Sequence, residues 1–186
     1  MSSALNRASH QHDYLAPHLG TVLFLCPENS ANSILAESLL MHLGKDWIRV
    51  FSAGNVPNGK VNPLALEMLA SRGLPTSGLR SKSWAEFIAA GAPEMDVIVH
   101  AYDAPIASPP SRWPGNPVVL HWRMRDPATV EGSHELQRVA FENAFLLLES
   151  NIARLVSIMV TGPDSIALQN QLSQTWETVG SRQAGG

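Results

Sequence analysis

Chemistry in this chain starts from one thiol. Cys26 is its sole cysteine, and it closes the apolar run Thr21-Val-Leu-Phe-Leu-Cys26 just before a short polar turn, Pro-Glu-Asn-Ser-Ala-Asn-Ser, at 27–33. A continuous apolar run of that length fits a strand buried on both faces. The period then changes: Leu35, Leu39 and Leu43 repeat at four-residue steps and Gly44 follows, which predicts a helix from about Ser33 to Gly44. Strand, tight loop and helix in succession put the thiol beside backbone N–H groups that a first helical turn leaves unpaired, at the positive end of the helix. A thiol there is expected to have a lowered pKa and to act as a thiolate nucleophile near neutral pH. The small polar residues Asn29, Ser30, Ala31 and Ser33 let such a loop curl around a tetrahedral oxyanion. A lone cysteine ending a buried strand is otherwise a small core hydrophobe, and the wider sequence decides between the two uses.

The elements that would position this loop follow a repeating order. Ile48 to Ala53 reads as a second strand, and Asn62-Pro63 as an N-cap with proline at the first position of a helix that runs from Leu64 to Arg72 and closes at Gly73. A short helix is predicted within Ser83 to Ala90, a strand at Val97 to Ala101, and another at Pro117 to His121 after a loop holding Pro105, Pro109, Pro110 and Pro114. Leu136, Val139, Ala140, Ala144, Leu147, Leu148, Ile152, Leu155, Val156 and Met159 keep helical spacing from about His134 to Val160. Alternating short apolar strands and helices imply an α/β, flavodoxin-like, doubly wound sheet of four parallel strands covered on both faces. The expected organisation is a loose leader at 1–19, one domain at 20–162, and a segment at 163–186 with a surface helix around Leu168, Leu172 and Trp176 before the tail SRQAGG.

LFLCPENSANSILAESLLMHLG resembles the nucleophile loop and first helix of the low-molecular-weight phosphotyrosine phosphatases and of the arsenate reductases built on their fold, where the pattern is Cys-x5-Arg-Ser. FSAG at 51–54, VNPLALEMLASRGLPTSGLRSKSW at 61–84, WPG at 113–115 and HWRMRDPATVEG at 121–132 match the arsenate reductase branch, in the family's order, so the resemblance runs from about residue 20 to 179. It implies that Cys26 attacks phosphorus or arsenic, that Ser33 stabilises the thiolate by hydrogen bonding, and that Asn29 holds the loop's shape. It makes Asp126, before Pro127, the general acid for the leaving oxygen, a role suited to a carboxyl group on a loop near a thiolate.

Two positions depart from that pattern. The family's arginine falls at Asn32, and an amide cannot copy the planar fork that grips two oxygens of an anion; losing a comparable donor costs about a hundred- to a thousandfold in rate. Thioredoxin-coupled members carry further cysteines to relay a disulfide outward, where this chain has Tyr102 and Pro110 or a neighbour. An adduct on Cys26 therefore needs an external thiol of glutathione or glutaredoxin type, with no tightly bound cofactor. Arg125, or failing that Arg123, is a candidate to swing over the loop and replace the missing charge; otherwise both are solvated. Lys82, Arg80, Trp113 and Trp122 are read as solvated charges and core aromatics. Besides an arsenate reductase, the residues are compatible with a pseudoenzyme that binds an oxyanion or a protein, and with a phosphatase, although Ala128 and Thr129 stand where phosphatases of this family carry paired tyrosines.

The rest of the composition restricts partners. A net charge of -3 with scattered Lys and Arg offers no footprint for nucleic acid or an anionic membrane. No apolar run approaches the roughly 20 residues of a bilayer span, the first 18 residues lack a signal-peptide pattern, and a single free thiol fits the cytoplasm. Seven histidines at no helical ligand spacing predict no metal site. The expected small ligand is arsenate or phosphate.

Overall fold

The apolar runs become strands β1 (Gly20–Cys26), β2 (Ile48–Gly54), β3 (Val97–His100) and β4 (Val118–His121). The computed structural model describes residues 19–103, 110–161 and 165–176. The leader up to residue 18, Pro105, Pro109, Gly162-Pro163 and the final SRQAGG lie outside these. The strands pair in parallel in the order β2-β1-β3-β4, the doubly wound arrangement expected from the alternation of elements. β1 is paired on both edges, by β2 and β3, and its side chains enter apolar clusters on both faces of the sheet; Val22 to Leu25 are fully buried. That position explains why the run is apolar without alternation.

Helices α1 (Asn32–Gly44), α2 (Pro63–Ser71), α3 (His134–Thr161) and α4 (Ser165–Thr175) follow the predicted segments within a residue or two. Asn62 caps α2 as expected, its side chain accepting from the Leu64 N–H at 2.9 Å, with Pro63 behind it. The short helix predicted within 83–90 is a 3₁₀ turn, Trp84–Phe87, capped by Ser83. All four helices contribute to one apolar cluster, with Val22, Phe24, Val97 and Val99 of the sheet at its centre. The opposite face carries Leu23, Leu25, Ala53 and Ile98, covered by Phe87 and Met95 with Trp84 and Trp113 against them. Both faces are thus covered, but by helices on one side and by a 3₁₀ turn and aromatic rings on the other.

Three details differ from the periodicity. Leu43, in the last turn of α1, is exposed. On α3 the core takes Phe141 and Phe145, while Leu136, Val139 and Leu147 face outward: the helix meets the core along a narrower stripe than its apolar composition allows. By length and mean hydropathy α3 is also long and apolar enough to cross a bilayer, although charged residues interrupt it and Phe141, Leu148, Ile152 and Leu155 are buried in the main apolar cluster. Finally, α4 is more than a surface helix. Leu172 is fully buried, and Trp176 packs on Trp122 at 5.6 Å between ring centroids.

Candidate active site

Cys26 ends β1 in register with Gly54 of β2, and the chain then turns through 27–31 into α1. Gly54 makes the turn possible. A Cβ there would lie 2.5 Å from the Pro27 carbonyl oxygen and 2.9 Å from the Asn29 nitrogen, so only glycine lets the loop close over β2. Asn29 adopts a positive φ of 51°, a conformation its side chain tolerates better than most. Asn62 N–H donates to the Ser30 carbonyl at 2.9 Å, and Val56 N–H to Pro27 at 3.0 Å, pinning the loop to the segment after β2. Cys26, Asn29, Ser30, Ala31, Asn32 and Ser33 are all buried together.

Cys26 Sγ lies 2.8 Å from Ser33 Oγ. Asn29 Nδ2 donates one hydrogen to that hydroxyl at 2.9 Å and the other to Ser52 Oγ at 2.8 Å, while its Oδ1 accepts from the Lys82 backbone N–H at 2.8 Å. The amide is fully used and its orientation is set by the backbone donor. Since Ser33 Oγ accepts from Asn29, its own hydrogen remains for sulfur. Beneath Ser52 stands a set of residues that the sequence did not single out as a group. Ser52 Oγ donates to Glu37 Oε2 at 2.5 Å, and Lys82 Nζ reaches Glu37 at 3.1 Å and Ser52 at 3.2 Å. Lys82 is only 6% exposed, so its reading as a solvated charge is wrong: the loop before Ser83 folds inward beside β2. Arg80, by contrast, is exposed and pairs with Glu86. One signal was available, since Glu37 lies four residues after Ser33 on the same face of α1.

Burial pushes the Cys26 thiol up from its ordinary value, and hydrogen bonds from the Ser33 hydroxyl and from the backbone of Ser33, Asn29 and Ser30 pull against it without overcoming it. The lowered value expected from the loop and helix end is corrected accordingly: the closed loop keeps water from the sulfur. Iodoacetamide alkylation of Cys26 is expected to be slow at pH 7 and still climbing, with no plateau, at about pH 8.5, the ordinary thiol value; a rate already at its plateau at pH 7 contradicts this.

Asp126 follows β4 and caps the 3₁₀ turn Pro127–Thr129 by accepting from the Ala128 N–H at 2.9 Å. Partial burial raises its carboxyl pKa above the ordinary value, against that N–H, and the charges of Glu28 and Asp103 add to the rise. A carboxyl that keeps its proton longer is a better general acid. Asn32, 2% exposed, donates from Nδ2 to the Ala101 carbonyl and to the Arg125 carbonyl, each at 3.0 Å, and its Oδ1 is buried with no hydrogen-bond partner among the described residues. Arg125 thus meets the loop through its backbone, with its side chain exposed, and Arg123 is exposed as well.

Tyr102, at the place of a relay cysteine, belongs to a cluster at the same edge of the sheet but on its other face. His100 is in register with Leu25 and with His121, so the two imidazoles lie side by side on β3 and β4, 5.0 Å apart. The Tyr102 hydroxyl is 3.2 Å from His100 Nδ1, and the tyrosine ring stacks on that imidazole. Trp122 and Trp113 are packing residues, against Phe24 and Trp84 respectively.

Residues 21–162 match the family model of the low molecular weight phosphotyrosine protein phosphatases. Over 106 residues the chain is 30% identical to a glutaredoxin arsenate reductase from Synechocystis sp., an alignment covering 57% of this chain and 77% of that protein. Among solved structures it is similar to a thioredoxin-dependent arsenate reductase of Corynebacterium glutamicum, with 26% identity and a TM-score of 0.56; the match covers 78% of this chain and 63% of that one. An arsenate reductase of Archaeoglobus fulgidus matches at 25% identity and a TM-score of 0.58, over 73% of this chain and 98% of its own. The chain belongs to the low molecular weight phosphotyrosine protein phosphatase family.

Proposed function

We propose that this protein is an arsenate reductase that works through a single thiol and an external thiol reductant. The observation that carries the reading is the buried chain from Asn29 through Ser33 to the Cys26 sulfur, with Asp126 tied to the same loop through Asn32. The glutaredoxin arsenate reductase of Synechocystis supports the choice of substrate and reductant class. Because the resting thiol holds its proton, a bound arsenate dianion is the base at hand to take it. The Cys26 sulfur then bonds to arsenic as an arsenic–oxygen bond breaks, and Asp126 protonates the departing oxygen, which leaves as water. An external thiolate attacks the Cys26 sulfur, the electron pair of the sulfur–arsenic bond stays on arsenic, and As(V) becomes As(III). A second thiol, from glutathione or a glutaredoxin-type partner, releases Cys26 from the mixed disulfide. No resident cofactor enters, and the reducing cytoplasm is the setting.

One observation favours a second reading. Both Nδ2 hydrogens of Asn32 go to protein carbonyls, so the residue in the arginine's place has no donor left for an oxyanion. A catalytically silent member of the same fold, holding an oxyanion through the backbone N–H groups of the loop alone, would need no side-chain donor there. Arsenite production with glutathione, and with glutathione plus glutaredoxin, separates the two. The first reading expects turnover that Cys26→Ser abolishes and Asp126→Asn lowers by about a hundred- to ten-thousandfold. Protection of Cys26 from iodoacetamide by millimolar arsenate or phosphate without turnover supports the binder, and absence of both effects sinks the two readings together.

A further inference from the structure

We infer that Asn32 is a positioning residue: its amide latches the loop that carries Asp126 onto the nucleophile loop before any ligand arrives. The catalytic meaning rests on the proposed role of Asp126; the latch itself is a matter of hydrogen bonds. Asn32 opens α1 directly after the Cys26 loop. From there one buried –NH2 group reaches the carbonyl of Ala101, just past β3, and that of Arg125, just before Asp126, both at 3.0 Å. A single amide thereby joins the three segments that leave the carboxyl edge at β1, β3 and β4.

The surroundings of Asp126 make this contact matter. The hydrogen bonds of Asp126 itself are local: Ala128 N–H to its carboxylate, and the Thr129 hydroxyl and N–H to its carbonyl at 2.8 and 3.2 Å. Met124 and Pro127 add apolar anchorage on either side. Apolar contacts hold a loop near a surface but do not fix which carbonyl faces where, and two donors on one planar group do. The orphaned Oδ1 points the same way. A buried acceptor without a partner among the described residues is a standing cost, so the site tolerates an asparagine for its two donors. Where an arginine spends its donors on a bound anion, this side chain spends them on the protein. The acid loop is thus closed in the free protein rather than by the ligand.

The test is backbone hydrogen exchange of 126–130 in the ligand-free chain, for the wild type, Asn32→Asp, which keeps the shape and exchanges both donors for acceptors, and the uncharged Asn32→Leu. Loss of both bonds is expected to speed exchange at Ala128 and Thr129 by about tenfold or more, leaving Leu23 and Phe24 of β1 unchanged. Unaltered exchange at 126–130 in both variants overturns the latch. Should either variant unfold, which exchange at β1 reports, the side-chain amide protons of wild-type Asn32 decide by NMR: strong protection from solvent supports the latch, and exchange at the rate of a free amide refutes it. Neither readout requires arsenate turnover, so the latch can stand where the reductase reading fails. In an active chain, opening the loop hydrates Asp126 and moves the alkaline limb of the rate to lower pH, which a merely structural role would not do.

Discussion

Replacing Lys82 by methionine is expected to cost about 3–5 kcal/mol of folding stability, because it strands the Glu37 carboxylate in the interior. Glu37 and Lys82 are both buried, with Nζ 3.1 Å from Oε2, and the hydrogen bonds from Ser52 and to the Arg80 carbonyl complete their neighbourhood. Urea denaturation of the single variant measures the loss. The double variant Lys82→Met with Glu37→Leu should recover most of it, since a buried ion pair exchanged whole for apolar groups is often neutral. If instead both variants are equally destabilised, the cost belongs to packing and not to charge. Arg80→Ala supplies the contrast: its pair with Glu86 is exposed, and such pairs contribute about 0–1 kcal/mol. The loss at Lys82 should also reach Cys26. Ser52, which takes a hydrogen bond from Lys82, takes another from Asn29, and Asn29 holds Ser33 against the sulfur. Alkylation of Cys26 in Lys82→Met, measured where the protein is still folded, is the readout.

Acid is expected to destabilise the fold well above the pH at which carboxylates titrate. Burial, with a contribution from the nearby His121, lowers His100 from its ordinary 6.5 to about 4. The folded chain therefore binds a proton at this site less readily than the unfolded chain, so the contribution is fully present above about pH 6.5 and is lost as pH falls towards about 4. The difference corresponds to about 3 kcal/mol, an order-of-magnitude figure for a group this buried. His100→Phe removes the titration while keeping a ring to stack on Tyr102, and should flatten stability against pH between 6.5 and 4, as read from urea midpoints at a series of pH values. A slope unchanged by the substitution would assign the acid sensitivity to other groups. His100 stands on the face away from Cys26, so this instability is a property of the scaffold and not of the nucleophile.

Family membership and the local geometry bear on different questions. The family model and the parallel sheet account for the placement of a thiol at the carboxyl end of the central strand, where an α/β sheet offers its binding crevice. The structure adds two local facts: the thiol is raised by burial, and the amide that replaces the arginine faces protein carbonyls. Both lower the expected reactivity of the resting site, and both bear on the choice between turnover and binding.

Much of this was legible in the sequence, because it rests on local rules. Strand and helix periods, the Asn62-Pro63 cap, and the run from Cys26 to Ser33 between an apolar strand and a leucine-spaced helix depend on neighbours a few residues apart. Of the loop residues named from that run, Ser33 and the backbone of Asn29 and Ser30 hydrogen-bond at the sulfur, since a strand–loop–helix turn leaves them little freedom to do otherwise. What depended on distant partners was not legible. Lys82 read as a surface charge because nothing near it in sequence reveals that Glu37 and Ser52 will enclose it, 45 and 30 residues away. Which apolar residues of α3 face outward was not legible, because spacing says which residues are apolar and only packing says which of them meet the core. The thiol's acidity was not legible for the same reason: the sequence places the N–H groups of the loop, but the depth of burial that opposes them exists only once β2 and β3 flank β1 and the loop folds over Cys26. Asn32 marks the boundary most clearly. Its identity as the arginine's replacement is a matter of sequence; that its two donors reach Ala101 and Arg125, 69 and 93 residues on, was decided by the fold alone.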